Sequence, residues 1–149
     1  MNSNYKKEFT KKERIQNSAK LLEENEGKIP IICEKDPNSE MKTLLKTKFL
    51  IKRQITVQQF IHTIRKKLEM DSYEAIFLLA NCKSKKIALV GSISFGDVYD
   101  NYKHDDGFLY LIYSNEKIWG WIINDKIPNL KNKSQPYINK YVNIYNINI

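Results

Sequence analysis

Thr56-Val57-Gln58-Gln59-Phe60-Ile61-His62-Thr63-Ile64-Arg65-Lys66-Lys67-Leu68 is the stretch whose reading decides the fold class. Val57, Phe60, Ile61, Ile64 and Leu68 recur at helical spacing and make one apolar face. Thr56 with Gln59 three residues on is a capping box, in which two orphan amide donors at the helix start gain reciprocal partners. Ile55 and Phe60 flank that cap as a hydrophobic staple.

On the N-terminal side, Lys48-Phe49-Leu50-Ile51-Lys52 reads as a short strand flanked by charge, as a managed sheet edge should be. Asp36-Pro37-Asn38-Ser39 marks a loop before it. Lys28 to Cys33 is apolar and β-branched and predicts a buried strand. Gly27 stops a preceding amphipathic helix, Lys11 to Glu24, with Ile15, Ala19 and Leu22 on one face. On the C-terminal side, Ala75 to Ala80 reads as a short buried strand or core segment. Ile93 to Tyr102 reads as a short helix that Gly96 weakens. Asp105-Asp106-Gly107 makes a turn into Phe108 to Tyr113, apolar on both faces as a central strand would be. The order predicts an α+β domain. Two strands followed by an amphipathic helix resemble the ubiquitin-like β-grasp, here with an N-terminal helical extension over 1–27 and the domain over 28–120.

Composition narrows the function. The 149 residues suit one globular core, and 42% hydrophobic with 28% charged residues argue against disorder over most of the length. No run approaches the ~18 uncharged apolar residues of a membrane span, and the first residues lack the apolar core of a secretory signal, so a cytoplasmic protein is expected. Two cysteines and two histidines, far apart in sequence, predict no metal and no cofactor. Cys33, inside an apolar run, reads as a small buried hydrophobe rather than a reactive thiol. The formal charge of +8 suggests an acidic partner. Basic residues are scattered among acidic ones, and no stacking platform, glycine-rich loop or zinc spacing points to nucleic acid. Nor does any carboxylate pair, nucleophile–base pair or phosphate loop point to an enzyme.

Composition changes after Gly120. Residues 121–149 are rich in Asn, Ile, Lys and Tyr, contain Pro128 and Pro136, and read as a low-complexity tail. Removing it lowers the net charge from +8 to about +5.

An ordered series of motifs carries a resemblance. Lys28-Ile29-Pro30-Ile31-Ile32-Cys33-Glu34-Lys35 is similar to the R-I-P-V-I-C-E-K strand of the GABARAP and microtubule-associated-protein light chain 3 family of autophagy modifiers. Lys46-Thr47-Lys48-Phe49-Leu50-Ile51 resembles its K-K-K-Y-L-V, and Thr56 to Phe60 with Ile64-Arg65-Lys66 its T-V-G-Q-F…I-R-K helix. His104 to Tyr110 is similar to its K-D-x-D-G-F-L-Y, and Gly120 stands where its reactive glycine is expected. Lys52 stands where that family has a proline.

The resemblance implies a ubiquitin-like modifier, not an enzyme. A processing cysteine protease would cleave after Gly120 and remove the tail. Activating and conjugating enzymes would then carry the glycine as thioesters to phosphatidylethanolamine on the autophagosome membrane. A glycine, lacking Cβ, threads narrow clefts without steric cost, and two acyl chains supply stable anchoring. The alternative reading of Gly120 is an ordinary turn glycine in a non-conjugated binding module that keeps its tail.

The resemblance also implies capture of cargo receptors through short aromatic-x-x-aliphatic motifs added to the edge strand. Leu21, Pro30, Ile32, Lys48, Leu50 and Phe108 would line the aromatic pocket. Phe49, Ile51, Ile55, Phe60 and Ile64 would line the aliphatic one, and Lys28, Lys46 and Lys48 would attract acidic flanks. The competing reading is that the apolar residues fill the core and the lysines solvate a face.

Overall fold

The computed structural model describes residues 3–82 and 85–115. In chain order these form α1 (Asn4–Glu8), α2 (Lys11–Glu24), β1 (Lys28–Lys35), β2 (Lys48–Lys52), α3 (Val57–Lys67), β3 (Phe77–Cys82), β4 (Lys85–Ala88), α4 (Phe95–Tyr102) and β5 (Leu109–Ser114). The strands make one mixed sheet in the order β2-β1-β5-β3-β4. β1 and β5 run parallel at its centre, and the other pairs are antiparallel. This is the expected α+β, ubiquitin-like architecture with helices at its N-terminal end.

Strand alternation divides the apolar residues between two cores. Ile29, Ile31 and Cys33 of β1 and Leu109, Leu111 and Tyr113 of β5 join Val57, Phe60, Ile61 and Ile64 of α3 and Phe95, Val98 and Tyr99 of α4. Ile32 and Tyr110 project the other way and meet Tyr5, Phe108, Phe9 and Leu21. α3 begins as its sequence predicts: the Thr56 side chain accepts from the Gln59 amide, and the Gln59 side chain accepts from the Thr56 amide. Cys33 is fully buried, and desolvation pushes its thiol far up, as its apolar setting suggested.

Three elements differ from expectation. The inward face of α2 is not Ile15, Ala19 and Leu22: Ile15 and Leu22 are exposed, and Ser18 is the buried residue of the helix. Tertiary polar contacts turned the helix. Arg14 donates to the buried Asp106 across 2.7 Å, and the Ser18 hydroxyl donates to the Asp106 carbonyl across 2.5 Å. Gly107, at φ +83°, passes so close to Ser18 that a Cβ there would collide with the hydroxyl.

The second difference is α1. The Glu34 carboxylate accepts from the amides of Asn4 (3.2 Å) and Tyr5 (3.0 Å), and Arg14 donates to the Phe9 carbonyl across 2.6 Å. A helix of five residues is too short to form alone, so these distant partners are what hold it. The third is β4, a lysine-bearing segment without strand patterning, which pairs with β3 in the register Leu79↔Ala88 to Cys82↔Lys85. Elsewhere, element ends move by one or two residues, as they commonly do.

Candidate functional site

β2 lies at one edge of the sheet. Its register with β1 runs from Lys28↔Lys52 to Ile32↔Lys48. Just outside both ends, Cys33 donates to the Thr47 carbonyl (2.8 Å) and Arg53 to the Gly27 carbonyl (3.0 Å). Antiparallel pairs alternate, so the hydrogen-bonded pairs are 27/53, 29/51, 31/49 and 33/47. Phe49 and Ile51 therefore turn their backbone groups toward β1. Lys48, Leu50 and Lys52 turn theirs toward the open edge. Pro30 fits here because its pair with Leu50 is one that needs no amide donor from it.

Side chains alternate on the same strand. Lys48, Leu50 and Lys52 stand opposite Ile32, Pro30 and Lys28, on the sheet face covered by α1 and α2. Phe49 and Ile51 stand opposite Ile31 and Ile29, on the α3 face, where they pack against the main core with Ile55. The two predicted pocket sets thus lie on opposite faces of one sheet edge.

Burial grades each set into floor and rim. On the α2 face, Ile32 and Phe108 are fully buried, Pro30 is buried, Leu21 and Leu50 are half-buried, and Lys48 is exposed. On the α3 face, Phe60 and Ile64 are buried while Phe49, Ile51 and Ile55 are half-buried. Phe60 packs edge-on against both Phe49 (5.3 Å) and Phe95 (5.1 Å), so it is a core residue that also backs the edge. Lys28 is half-buried and Lys46 exposed. Gly120 lies outside the described residues.

Tyr5 and Phe9 were missing from the sequence reading of this site. The Tyr5 ring packs on Phe108 at 5.2 Å and on Phe9 at 4.8 Å, and the Lys48 ammonium lies 6.0 Å from the Tyr5 ring centre. The aromatic pair at i and i+4 was the available signal.

Comparison with known proteins agrees with this architecture. The family model "Autophagy protein Atg8 ubiquitin like" matches residues 13–120, which is most of the chain. The chain belongs to the Atg8 family. It is 36% identical to autophagy-related protein 8 of Lodderomyces elongisporus, over 80% of each chain. Identity to autophagy-related protein 8h of Arabidopsis thaliana is 32%, over 78% of this chain and 94% of the relative. The crystal structure of Trypanosoma brucei ATG8 superposes with a TM-score of 0.70 at 36% identity, covering 78% of this chain and 97% of that one. The chain is therefore an Atg8-like, ubiquitin-like autophagy protein, and no described helix is long and apolar enough to cross a membrane.

Proposed function

We propose that this Atg8-family chain is a modifier processed after Gly120 and joined through that glycine to phosphatidylethanolamine on autophagosomal membranes. There it assists membrane growth and recruits cargo receptors bearing aromatic-x-x-aliphatic motifs. Before conjugation it resides in the cytoplasm, and its partners are a processing cysteine protease and the activating and conjugating enzymes of the pathway. The family match running through residue 120 supports a functional end at that glycine.

The observation that carries the receptor-binding reading is the division of the edge into two faces. Residues three apart in an extended strand point to opposite sides of it. An aromatic and an aliphatic anchor with that spacing suit an edge whose apolar rims are Leu21 and Leu50 on one face and Phe49, Ile51 and Ile55 on the other. The outward backbone groups of Lys48 and Leu50 supply strand-addition hydrogen bonds.

The test of processing is the intact mass of N-terminally tagged chain recovered from its native cytoplasm. A species ending at Gly120, absent from Gly120→Ala, is expected. Recovery of only the full chain through Ile149, in fed and starved cells alike, would overturn conjugation and leave a binding module that keeps its tail.

A further inference from the structure

We infer that Lys52 forms a carboxylate-recognising subsite at the end of the β2 edge, selecting peptides with Asp or Glu immediately after the aliphatic anchor. This deepens the receptor-binding reading and rests on it. It adds a specificity determinant that the expected lysines, Lys28, Lys46 and Lys48, do not include.

Lys52 closes the open edge. Its amide points outward, by the alternation set at pairs 27/53 and 33/47. Its carbonyl is already taken, accepting from the Ile55 amide across 3.1 Å as the chain turns toward α3. The edge thus ends on a lone outward N–H beneath an exposed ammonium. A proline at this position would offer neither group.

Lys52 also stands directly opposite Lys28 in a pair that is not hydrogen-bonded, the arrangement that brings side chains closest across a sheet. Like charges placed so destabilise each other. Neither lysine makes an ion pair among the described residues. A carboxylate carried by the added strand lies beside Lys52, on the side away from Lys28, and offsets that repulsion, while the outward amide of Lys52 donates to the added strand.

The position of the acid follows from the direction of the peptide. On β2, the aromatic-side rim is Lys48 and Leu50, whereas the aliphatic-side rim runs from Phe49 through Ile51 to Ile55, so its centre lies further along the chain. A peptide engaging both runs parallel to β2. With its aliphatic anchor level with Ile51, the next residue is level with Lys52, and strand alternation turns it onto the face of Lys52 and Lys28.

Fluorescence anisotropy of the full chain with two peptides tests this. Both carry an aromatic-x-x-aliphatic motif and differ only in Glu or Gln at the following position. The expected preference for Glu is roughly two- to five-fold at low salt, the scale of exposed charge pairs, and it shrinks in high salt. Lys52→Gln should bring the ratio toward one while leaving affinity for the Gln peptide within about two-fold. Equal binding of both peptides by the wild type, or an unchanged ratio in Lys52→Gln, overturns the subsite alone. Failure of both peptides to bind overturns the docking reading and the subsite with it.

Discussion

The ε-ammonium of Lys6 donates to Nδ1 of His104 across 2.7 Å, tying α1 to the turn that leads into β5. Nε2 of the same ring donates to the Asn81 carbonyl at 2.6 Å, a tautomer that leaves Nδ1 as the acceptor. The Lys6 contact therefore requires a neutral imidazole, whereas the Asn81 contact survives protonation of the ring. The Lys6 ammonium also lies 4.3 Å from the Tyr110 ring centre, and Asp105, Asp106 and Arg14 complete the charged surroundings.

Burial is the main cause that lowers the His104 pKa, with the Lys6 charge acting in the same direction against the Asn81 contact and the two aspartates. The folded state thus binds this proton less readily than the unfolded chain. The contribution is present above the ordinary histidine range near pH 6.5 and is lost as pH falls through the lower folded value. Amide exchange over residues 4–9 should accelerate as pH is lowered from 7.5 toward 5, after correction for intrinsic rates. His104→Gln should flatten that response; an equal response in the variant would rule out His104 as its source.

Asp106 is the polar centre of the α2 contact. It accepts from Arg14 Nε (2.7 Å), the Tyr110 hydroxyl (2.8 Å) and the Phe108 amide (3.2 Å). Burial alone would raise its pKa, but these hydrogen bonds outweigh burial and hold the carboxyl below its usual range. Its stabilisation is present above about pH 3.8 and is lost on further acidification. Asp106→Ala strands Arg14 and should cost about 3–5 kcal/mol in urea denaturation.

Phe60 and Leu50 should separate folding from docking. Phe60, packed between Phe49 and Phe95, is buried, and Phe60→Ala should cost about 3–5 kcal/mol of stability. Leu50 is half-buried on the edge. Leu50→Ala should change stability by about 1 kcal/mol or less yet weaken aromatic-x-x-aliphatic peptides roughly ten-fold or more. Denaturation and anisotropy on the same preparations check the pair; retained affinity in Leu50→Ala would remove it from the docking surface.

Gly107 combines a positive φ with a close approach to Ser18. Gly107→Ala should destabilise the chain by about 1–3 kcal/mol in thermal denaturation. Ser18→Gly in the same chain should recover part of that loss by opening the space, although it removes a hydrogen bond to Asp106.

Local chemistry was enough to specify α3. Its apolar period and the Thr56–Gln59 box lie within 13 residues and need no distant partner to be read. The runs from Lys28 and from Lys48 likewise announced β1 and β2, and the motif series pointed to the family. Much of the candidate site was legible for the same reason. Alternation along two short strands sorts their side chains, although pairing and register came only with the fold.

Tertiary structure decided the rest. α1 depends on Glu34, 29 positions from Tyr5, and on Arg14 and His104. The orientation of α2 depends on a buried carboxylate 92 positions from Arg14, which outweighed its own apolar stripe. β4 exists through its pairing with β3. Local pattern reports which surfaces a segment can offer, whereas strand order, helix facing and the open edge depend on partners that only the folded chain brings together.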